Sequence, residues 1–328
     1  MTTPAAGAGA RTIVVTGATG VVGRPLVRAL VAGGDRVVAL VRDGTRARAA
    51  LPAAVELEAC DLESPGPWQE RLAGAHGVVH LAGEPLAGKR WDARQKQLLR
   101  DSRVETARVL VEGLAALPSA RRPAVMVTAS GVDYYGFANR QLDDDDPVDE
   151  RAPRGDGFLA RLCAAWEGEA AAAEDLGVRV VRLRSGVILG PGAGLAKMTA
   201  PFRWFAGGRL GSGQQWFSWI ALADAVSAYR TALADPRWRG PINLVAPETV
   251  RNADLARALG RALGRPSWLP VPAFALRAAV GELAEYLLEG RRVVPAALER
   301  LGFAFQHPTL AGALAAALAP AGASAASP

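Results

Sequence analysis

The chain alternates short runs of β-branched and aliphatic residues with stretches of helical periodicity. Thr12–Thr16 (TIVVT) is a compact apolar run of the kind seen in a strand buried on both faces. Val21–Ala32 then repeats its apolar positions at helical spacing, and Arg36–Val41 (RVVALV) predicts a second strand. Further strands are predicted over Val55–Ala59, Gly77–Leu81, Ala124–Thr128 and Arg179–Leu183, with helices notably over Arg94–Leu117 and Gly157–Leu176. Strand–helix alternation sustained over about 180 residues implies an α/β fold: a Rossmann-type, doubly wound parallel sheet joined by right-handed crossovers.

The pattern changes after Leu189. Residues 190–213 are rich in glycine and aromatics, followed by a strand over Trp216–Ile220, a helix over Leu222–Leu233 and a strand over Ile242–Val245. Asn252–Gly264 and Phe274–Leu288 read as helices. The expected organisation is a Rossmann domain over residues 11–189, completed by about residues 216–247. A smaller, interleaved C-terminal α/β lobe takes residues 190–215 and 248–318. Residues 1–10 and 319–328 are small and polar, and read as loose tails.

Composition removes several classes. The 328 residues hold two cysteines (Cys60, Cys163) and three histidines (His76, His80, His307), with no zinc-finger spacing and no HExxH. No metal is expected. No apolar run is long enough to span a bilayer, and the start lacks a secretory signal, so the expected compartment is cytoplasmic. The net charge is +6, carried almost wholly by arginine and scattered along the chain. That distribution argues against a nucleic-acid tract. The expected partner is a small molecule, not a membrane, with the chain a monomer or homodimer.

Thr16-Gly17-Ala18-Thr19-Gly20-Val21-Val22-Gly23 carries the clearest chemistry. Glycines 17, 20 and 23 follow the first strand and open the first helix. They permit a tight turn, close backbone approach to a pyrophosphate and close helix–strand packing, while the helix N-terminus supplies free N–H groups. Gly17, Thr19, Gly20, Val21, Val22 and Gly23 are therefore cofactor-binding candidates. Arg42 ends the second strand, where a cation suits the 2′-phosphate of NADP, so NADP(H) is favoured over NAD(H). Asp61 and Leu62 follow the third strand, where a carboxylate can meet the adenine amino group. Leu81, Ala82 and Gly83 end the fourth and are small enough to let the backbone approach a cofactor. Asp143–Asp146 is a run of four carboxylates that reads as a solvated loop.

TGATGVVG, VVALVR, CDL, HLAGE, VTASGVDYYG, VRLRSGVILGPG and FSWIALADAV together resemble the ordered motifs of the extended short-chain dehydrogenase/reductase superfamily over residues 11 to 265. The C-terminal LLEGRRVVPAALERLGFAFQHPTLAGAL resembles one atypical branch, the epimerase-family or NAD-dependent epimerase/dehydratase-like proteins. The resemblance implies that Ser185, Gly186 and Val187 flank the nicotinamide half with Leu81–Gly83. It places Ser130 at the superfamily's Ser/Thr position, orienting substrate. It also implies a Tyr-x-x-x-Lys dyad on the helix after residue 157, where this chain has Leu159 and Cys163. Tyr134 or Tyr135 is the expected substitute acid. Glu84 and Glu167 read as solvated or ion-paired. Arg103 stands where many relatives carry an Asn that holds a helix open.

An unperturbed tyrosine has a pKa of about 10, and reaching 7 requires roughly 4 kcal/mol of preference for phenolate. No lysine stands at the adjacent dyad position to supply it. Proton donation is thus easier than proton abstraction, and the expected activity is NADPH-dependent reduction of a small carbonyl compound. One alternative is a non-catalytic dinucleotide-sensing protein, which the missing dyad favours. A nucleotide-sugar epimerase or dehydratase is the second. The stretch Gly211-Ser212-Gly213-Gln214-Gln215-Trp216 weakens it, because it lacks the arginine that would anchor a sugar-nucleotide pyrophosphate. Trp204, Phe205, Trp216, Phe217 and Trp219 are read as either a pocket or core.

Overall fold

The computed structural model describes residues 10–137 and 145–319. Most of the two expected tails, and Asp143 and Asp144 of the acidic run, lie outside the described residues. Seven parallel strands form the central sheet: β1 (Thr12–Thr16), β2 (Arg36–Val41), β3 (Glu56–Ala59), β4 (Gly77–His80), β5 (Val125–Gly131), β6 (Arg179–Ser185) and β7 (Gly240–Leu244). Their spatial order is β7-β6-β5-β4-β1-β2-β3. The order reverses between β1 and β4, which is where a doubly wound sheet opens a crevice at the C-terminal ends of its strands.

Alternate residues of the strands feed two cores. Ile13 and Val15 pack with α1 (Gly23–Ala32) and α7 (Leu222–Ala234) on one face. Val14, Val78 and Met126 pack with α4 (Val104–Ala116) on the other, and α5 (Phe158–Ala171) lies against α4. This two-sided burial explains why the strands read as continuous apolar runs.

Some elements differ from the sequence pattern. A single helix is predicted over Arg94–Leu117, but the chain breaks into α3 (Ala93–Asp101) and α4. At the break Arg103 turns its guanidinium back to the carbonyls of Leu99 (3.1 Å) and Glu84 (2.9 Å). These bonds satisfy the end of α3 and hold the two helices apart. A helix of seven residues, α2 (Gly44–Ala50), has too few turns to show periodicity and is capped by Asp43.

In the second lobe, α6 (Ala193–Arg203), α8 (Asn252–Leu263) and α12 (Leu310–Leu318) enclose a separate core around Leu195, Phe202, Trp219 and Leu314. The helix predicted over Phe274–Leu288 is two, α9 (Ala273–Val280) and α10 (Leu283–Leu288), parted by Gly281 at φ +67°. The strand predicted over Trp216–Ile220 divides at Ser218 into pieces pairing with different partners. Helix α11 (Ala296–Arg300) packs back onto β7. Among the described residues no helix is long and apolar enough to cross a membrane.

Candidate functional site

The glycine turn sits where β1 leaves the sheet. Gly17 has φ +64°, and a Cβ there would lie 2.6 Å from the Leu81 carbonyl carbon. A Cβ on Gly23 would lie 2.2 Å from the Gly17 oxygen, so this glycine lets the first turn of α1 close on the loop. Gly20 differs, because its Cβ would meet only the Gly17 oxygen, at 3.1 Å. Two glycines are thus demanded by the fold, and the third leaves backbone open in the place a pyrophosphate would take. Val21 beside it is 44% exposed.

A buried polar relay ties the ends of β1 and β4 together. Thr16 Oγ1 accepts the N–H groups of Leu81 and Ala82 at 3.1 Å each and lies 2.8 Å from His80 Nδ1. With two N–H groups on its oxygen, the hydroxyl proton goes to His80 Nδ1, which assigns the ring hydrogen to Nε2, facing Thr106 Oγ1 at 3.3 Å. Thr106 then donates to the Ser102 carbonyl at 2.9 Å. Burial pushes the His80 imidazole down to about 4, and the charge of Arg103 acts in the same direction. His80 is therefore a neutral pin that fixes the Leu81–Gly83 backbone. A Cβ on Gly83 would meet the Arg103 guanidinium at 3.1 Å.

At the end of β2, Arg42 is exposed and forms no ion pair with a described residue. The adjacent Asp43 caps α2 by accepting the Arg46 N–H at 3.0 Å. The cation is thus the freer group at the position where the ribose would lie. Asp61 folds back on its own turn, accepting from Glu63 N (3.0 Å) and Ser64 Oγ (3.3 Å), and the side chain of Leu62 is in the core. Ser185 ends β6 and is hydrogen-bonded by the buried Tyr229. Gly186 packs so closely on Ser218 that a Cβ would come to 2.7 Å, and Val187 N–H donates to the Ser218 carbonyl. The exposed Val187 side chain is at the same sheet edge.

The expected catalytic residues gather around one buried network beside β5. Ser130 donates to Glu167 Oε1 at 2.7 Å inside a buried network. Arg184 grips both oxygens of Glu167 at 2.8 Å and donates to the Tyr135 hydroxyl at 2.9 Å, which donates to Asn243 Oδ1 at 2.7 Å. Burial raises the Tyr135 phenol well above the usual tyrosine range. Tyr134 lies with its ring 3.5 Å from the Arg184 guanidinium carbon. Ser130 and Tyr135 therefore share a load-carrying interior network, with their hydroxyls engaged there.

Gly131 follows at the end of β5, one turn along α5 from the Glu167 contact. A Cβ on it would lie 3.1 Å from Asp133 Oδ2 and 3.6 Å from Cys163 Sγ. Asp133 is only partly exposed, and burial holds its carboxyl up to about 6, against the opposing pull of Arg103. Burial also pushes the Cys163 thiol up to about 12, helped by the charges of Asp133 and Glu167, so Cys163 packs as a protonated, apolar group. Leu159 is core. Tyr286 of α10 brings its hydroxyl to the first turn of α5, accepting the Leu159 N–H at 3.1 Å. Sequence reasoning missed Asp133 and Tyr286. The first is inside the SGVDYYG motif but was overshadowed by its tyrosines, and the second is 127 residues from the helix it reaches.

The aromatics of the second lobe separate as well. Trp219 is core, and Trp216 is flanked by the guanidinium groups of Arg251 (4.3 Å) and Arg292 (5.5 Å) while donating to Asp145. Phe217 packs on the lobe core, whereas Trp204 and Phe205 are exposed.

The profile of the NAD dependent epimerase/dehydratase family matches residues 13–244, and that of a domain of unknown function, DUF1731, matches residues 271–317. The chain is 41% identical to "Epimerase family protein Mb2239" of Mycobacterium bovis over 304 residues, 92% of this chain and 96% of that one. It is 40% identical to "Epimerase family protein SDR39U1 homolog, chloroplastic" of Arabidopsis thaliana over 92% of this chain and 85% of the relative. The solved human epimerase family protein SDR39U1 (isoform2), crystallised with NADPH, superposes with a TM-score of 0.80 at 31% identity, covering 93% of this chain and 98% of that one. With its seven-stranded Rossmann-like sheet and these matches across both lobes, the chain belongs to the NAD dependent epimerase/dehydratase family, in the SDR39U1-like branch of the extended short-chain dehydrogenases/reductases.

Proposed function

We propose that this protein binds NADP(H) and reduces a small carbonyl compound, with Asp133 as the proton donor. The observation that carries the reading is the placement of Asp133, a carboxyl held up to about 6, near Arg103 and against Gly131 at the C-terminal end of β5. Cofactor choice is supported by the unpaired Arg42 and by the NADPH bound to the human relative.

The open backbone at Gly20, the N-terminus of α1 and Arg42 would hold the phosphates, and Leu81–Gly83 and Ser185–Val187 would border the nicotinamide half. Bound NADPH supplies the hydride for such a reduction. As the carbonyl carbon gains that hydride, the C=O electron pair moves to oxygen, and Asp133 gives its proton to that oxygen. Water reprotonates the carboxylate left behind. Arg103 limits how far the Asp133 pKa rises, so the group both holds and releases a proton near neutrality. This assigns to Asp133 the acid role that the motif comparison gives to Tyr134 or Tyr135, since the Tyr135 hydroxyl is occupied in the interior.

Calorimetric titration with NADPH, NADH, NADP and NAD tests the cofactor on wild type and Arg42→Ala. The expected result is a preference for NADPH that Arg42→Ala reduces about ten-fold, the worth of one charge-assisted contact. NADPH oxidation against a panel of aldehydes and ketones tests the chemistry. Asp133→Asn should abolish it and Tyr134→Phe should leave it largely intact. NADPH binding with no turnover of any carbonyl would instead favour the dinucleotide-sensing reading, which rests on Leu159 and Cys163 at the dyad positions.

A further inference from the structure

The second lobe presents a surface that the crevice chemistry does not use. Trp204 is 84% exposed, Phe205 54%, Trp268 67% and Leu269 41%. They are contiguous: Trp268 Nε1 donates to the Phe205 carbonyl at 3.1 Å, and Leu269 N–H donates to the Gly207 carbonyl at 3.1 Å. Phe205 is also the only non-glycine among the described residues with positive φ, at +58°. A bulky residue in that conformation costs on the order of 1–3 kcal/mol, and such strain collects at functional positions. Here it holds an aromatic ring out of the core.

The charge around this patch is almost all of one sign, with Asp254 the carboxylate at its border. Residues 193–215 and 255–277, which contain all four exposed residues, carry Lys197 and six arginines but no Asp or Glu. Arg265 stacks on Phe205, its guanidinium carbon 4.6 Å from the ring centroid. Arg257, Arg261 and Arg265 follow one another at four-residue spacing and line one groove with Gly260, Gly264 and Ser267. Arg257 pairs with Asp254 at 2.5 Å, whereas Arg203, Arg209, Arg261 and Arg265 pair with no described carboxylate. The arginines come from α6 and α8 and the segments that follow them, brought together where the two chain stretches meet.

We propose that this surface docks the protein on an anionic lipid bilayer. Indole and phenyl rings partition to the headgroup level of a bilayer, and arginines above them meet lipid phosphates. A tryptophan that is 84% exposed has little support from its own chain, which suits a fluid acceptor better than a rigid matching pocket. Attachment of this kind needs no membrane-spanning helix. It would place a reductase at the source of an amphiphilic substrate, although the docking itself is independent of the reaction.

Co-sedimentation with phosphatidylcholine vesicles, with and without phosphatidylglycerol, tests it on the full chain. Binding should be at least about ten-fold tighter to the anionic vesicles and should weaken with salt. Arg261→Glu/Arg265→Glu should lose at least about 25-fold, from about five-fold per arginine. Trp204→Ala should weaken binding with an unchanged melting temperature, and wild-type tryptophan emission should shift to the blue on vesicles. Equal binding to both vesicle types, unchanged binding by the arginine pair, or no vesicle binding at all would overturn the proposal. So would binding to polyglutamate without binding to vesicles, which would identify an acidic protein partner. A self-association that Trp204→Ala abolishes, in the absence of vesicle binding, would show that a second copy covers the patch.

Discussion

His80 makes the stability of this protein depend on pH in a way that can be isolated. The side chain is fully buried, and its pKa falls from 6.5 to about 4 on folding. A depressed folded pKa contributes stability that is complete above the unfolded value and is lost as pH falls toward the folded one. The window is therefore pH 6.5 down to about 4, and 2.5 units correspond to about 3 kcal/mol. Asp133 works in the opposite sense. Its pKa rises from 3.8 to about 6, so its contribution is present at low pH and is lost as pH rises through about 6. Asp133 is only partly buried as a residue, and screening reduces its share to about 1–2 kcal/mol. In the wild-type protein the two effects partly cancel over the same interval.

Urea unfolding of wild type, His80→Asn and Asp133→Asn between pH 4 and 7 separates them. His80→Asn is destabilising at pH 7 because it breaks the Thr16–His80–Thr106 relay. That penalty should shrink by about 3 kcal/mol on going to pH 4, since the variant has no imidazole to protonate. Asp133→Asn should make the loss of stability on acidification steeper than in wild type. Other carboxylates titrate alike in all three proteins and drop out of the differences. A His80→Asn penalty that stays constant within 1 kcal/mol from pH 7 to 4 would refute the assignment of a neutral, buried imidazole.

Further outcomes follow from the same geometry. Gly17→Ala forces a Cβ against the Leu81 backbone at positive φ and should cost more than about 3 kcal/mol or prevent folding, measured by urea unfolding. Gly20→Ala, whose methyl group meets only the Gly17 oxygen at 3.1 Å, should cost far less stability than Gly17→Ala yet bind NADPH more weakly. Glu167→Ala leaves Arg184 buried without its partner and should cost about 3–5 kcal/mol in thermal or chemical unfolding. Ser130→Ala removes one hydrogen bond to that carboxylate and should cost roughly 1–3 kcal/mol while leaving NADPH affinity within two-fold. Carbonyl reduction, measured from pH 5 to 8, should fall as pH rises past about 6, where Asp133 loses its proton.

The sheet, its helices and the phosphate-type turn were legible because each is coded locally. Buried parallel strands are continuous apolar runs, and the Gly17–Gly23 spacing states its own backbone demand. The break in the long helix was less visible, since it depends on Arg103 reaching the carbonyl of Glu84, 19 residues away. The catalytic side was least visible. Ser130 is drawn into the Glu167–Arg184 network, while Asp133 turns back against Gly131 beside Cys163, and both placements depend on how α5 packs against β5.

Local periodicity, turn chemistry and the absence of the Tyr and Lys partners at Leu159 and Cys163 are properties of neighbouring residues, and the sequence alone settles them. The tertiary structure decides which polar groups share a space and which are buried. It puts Tyr286 at α5, ties Tyr135 to Asn243 across 108 residues, and gathers the arginines and exposed aromatics of two distant stretches of chain on one surface. Contacts of that separation depend on the packing of whole layers, and the pKa values of His80 and Asp133 are set by the burial that this packing creates.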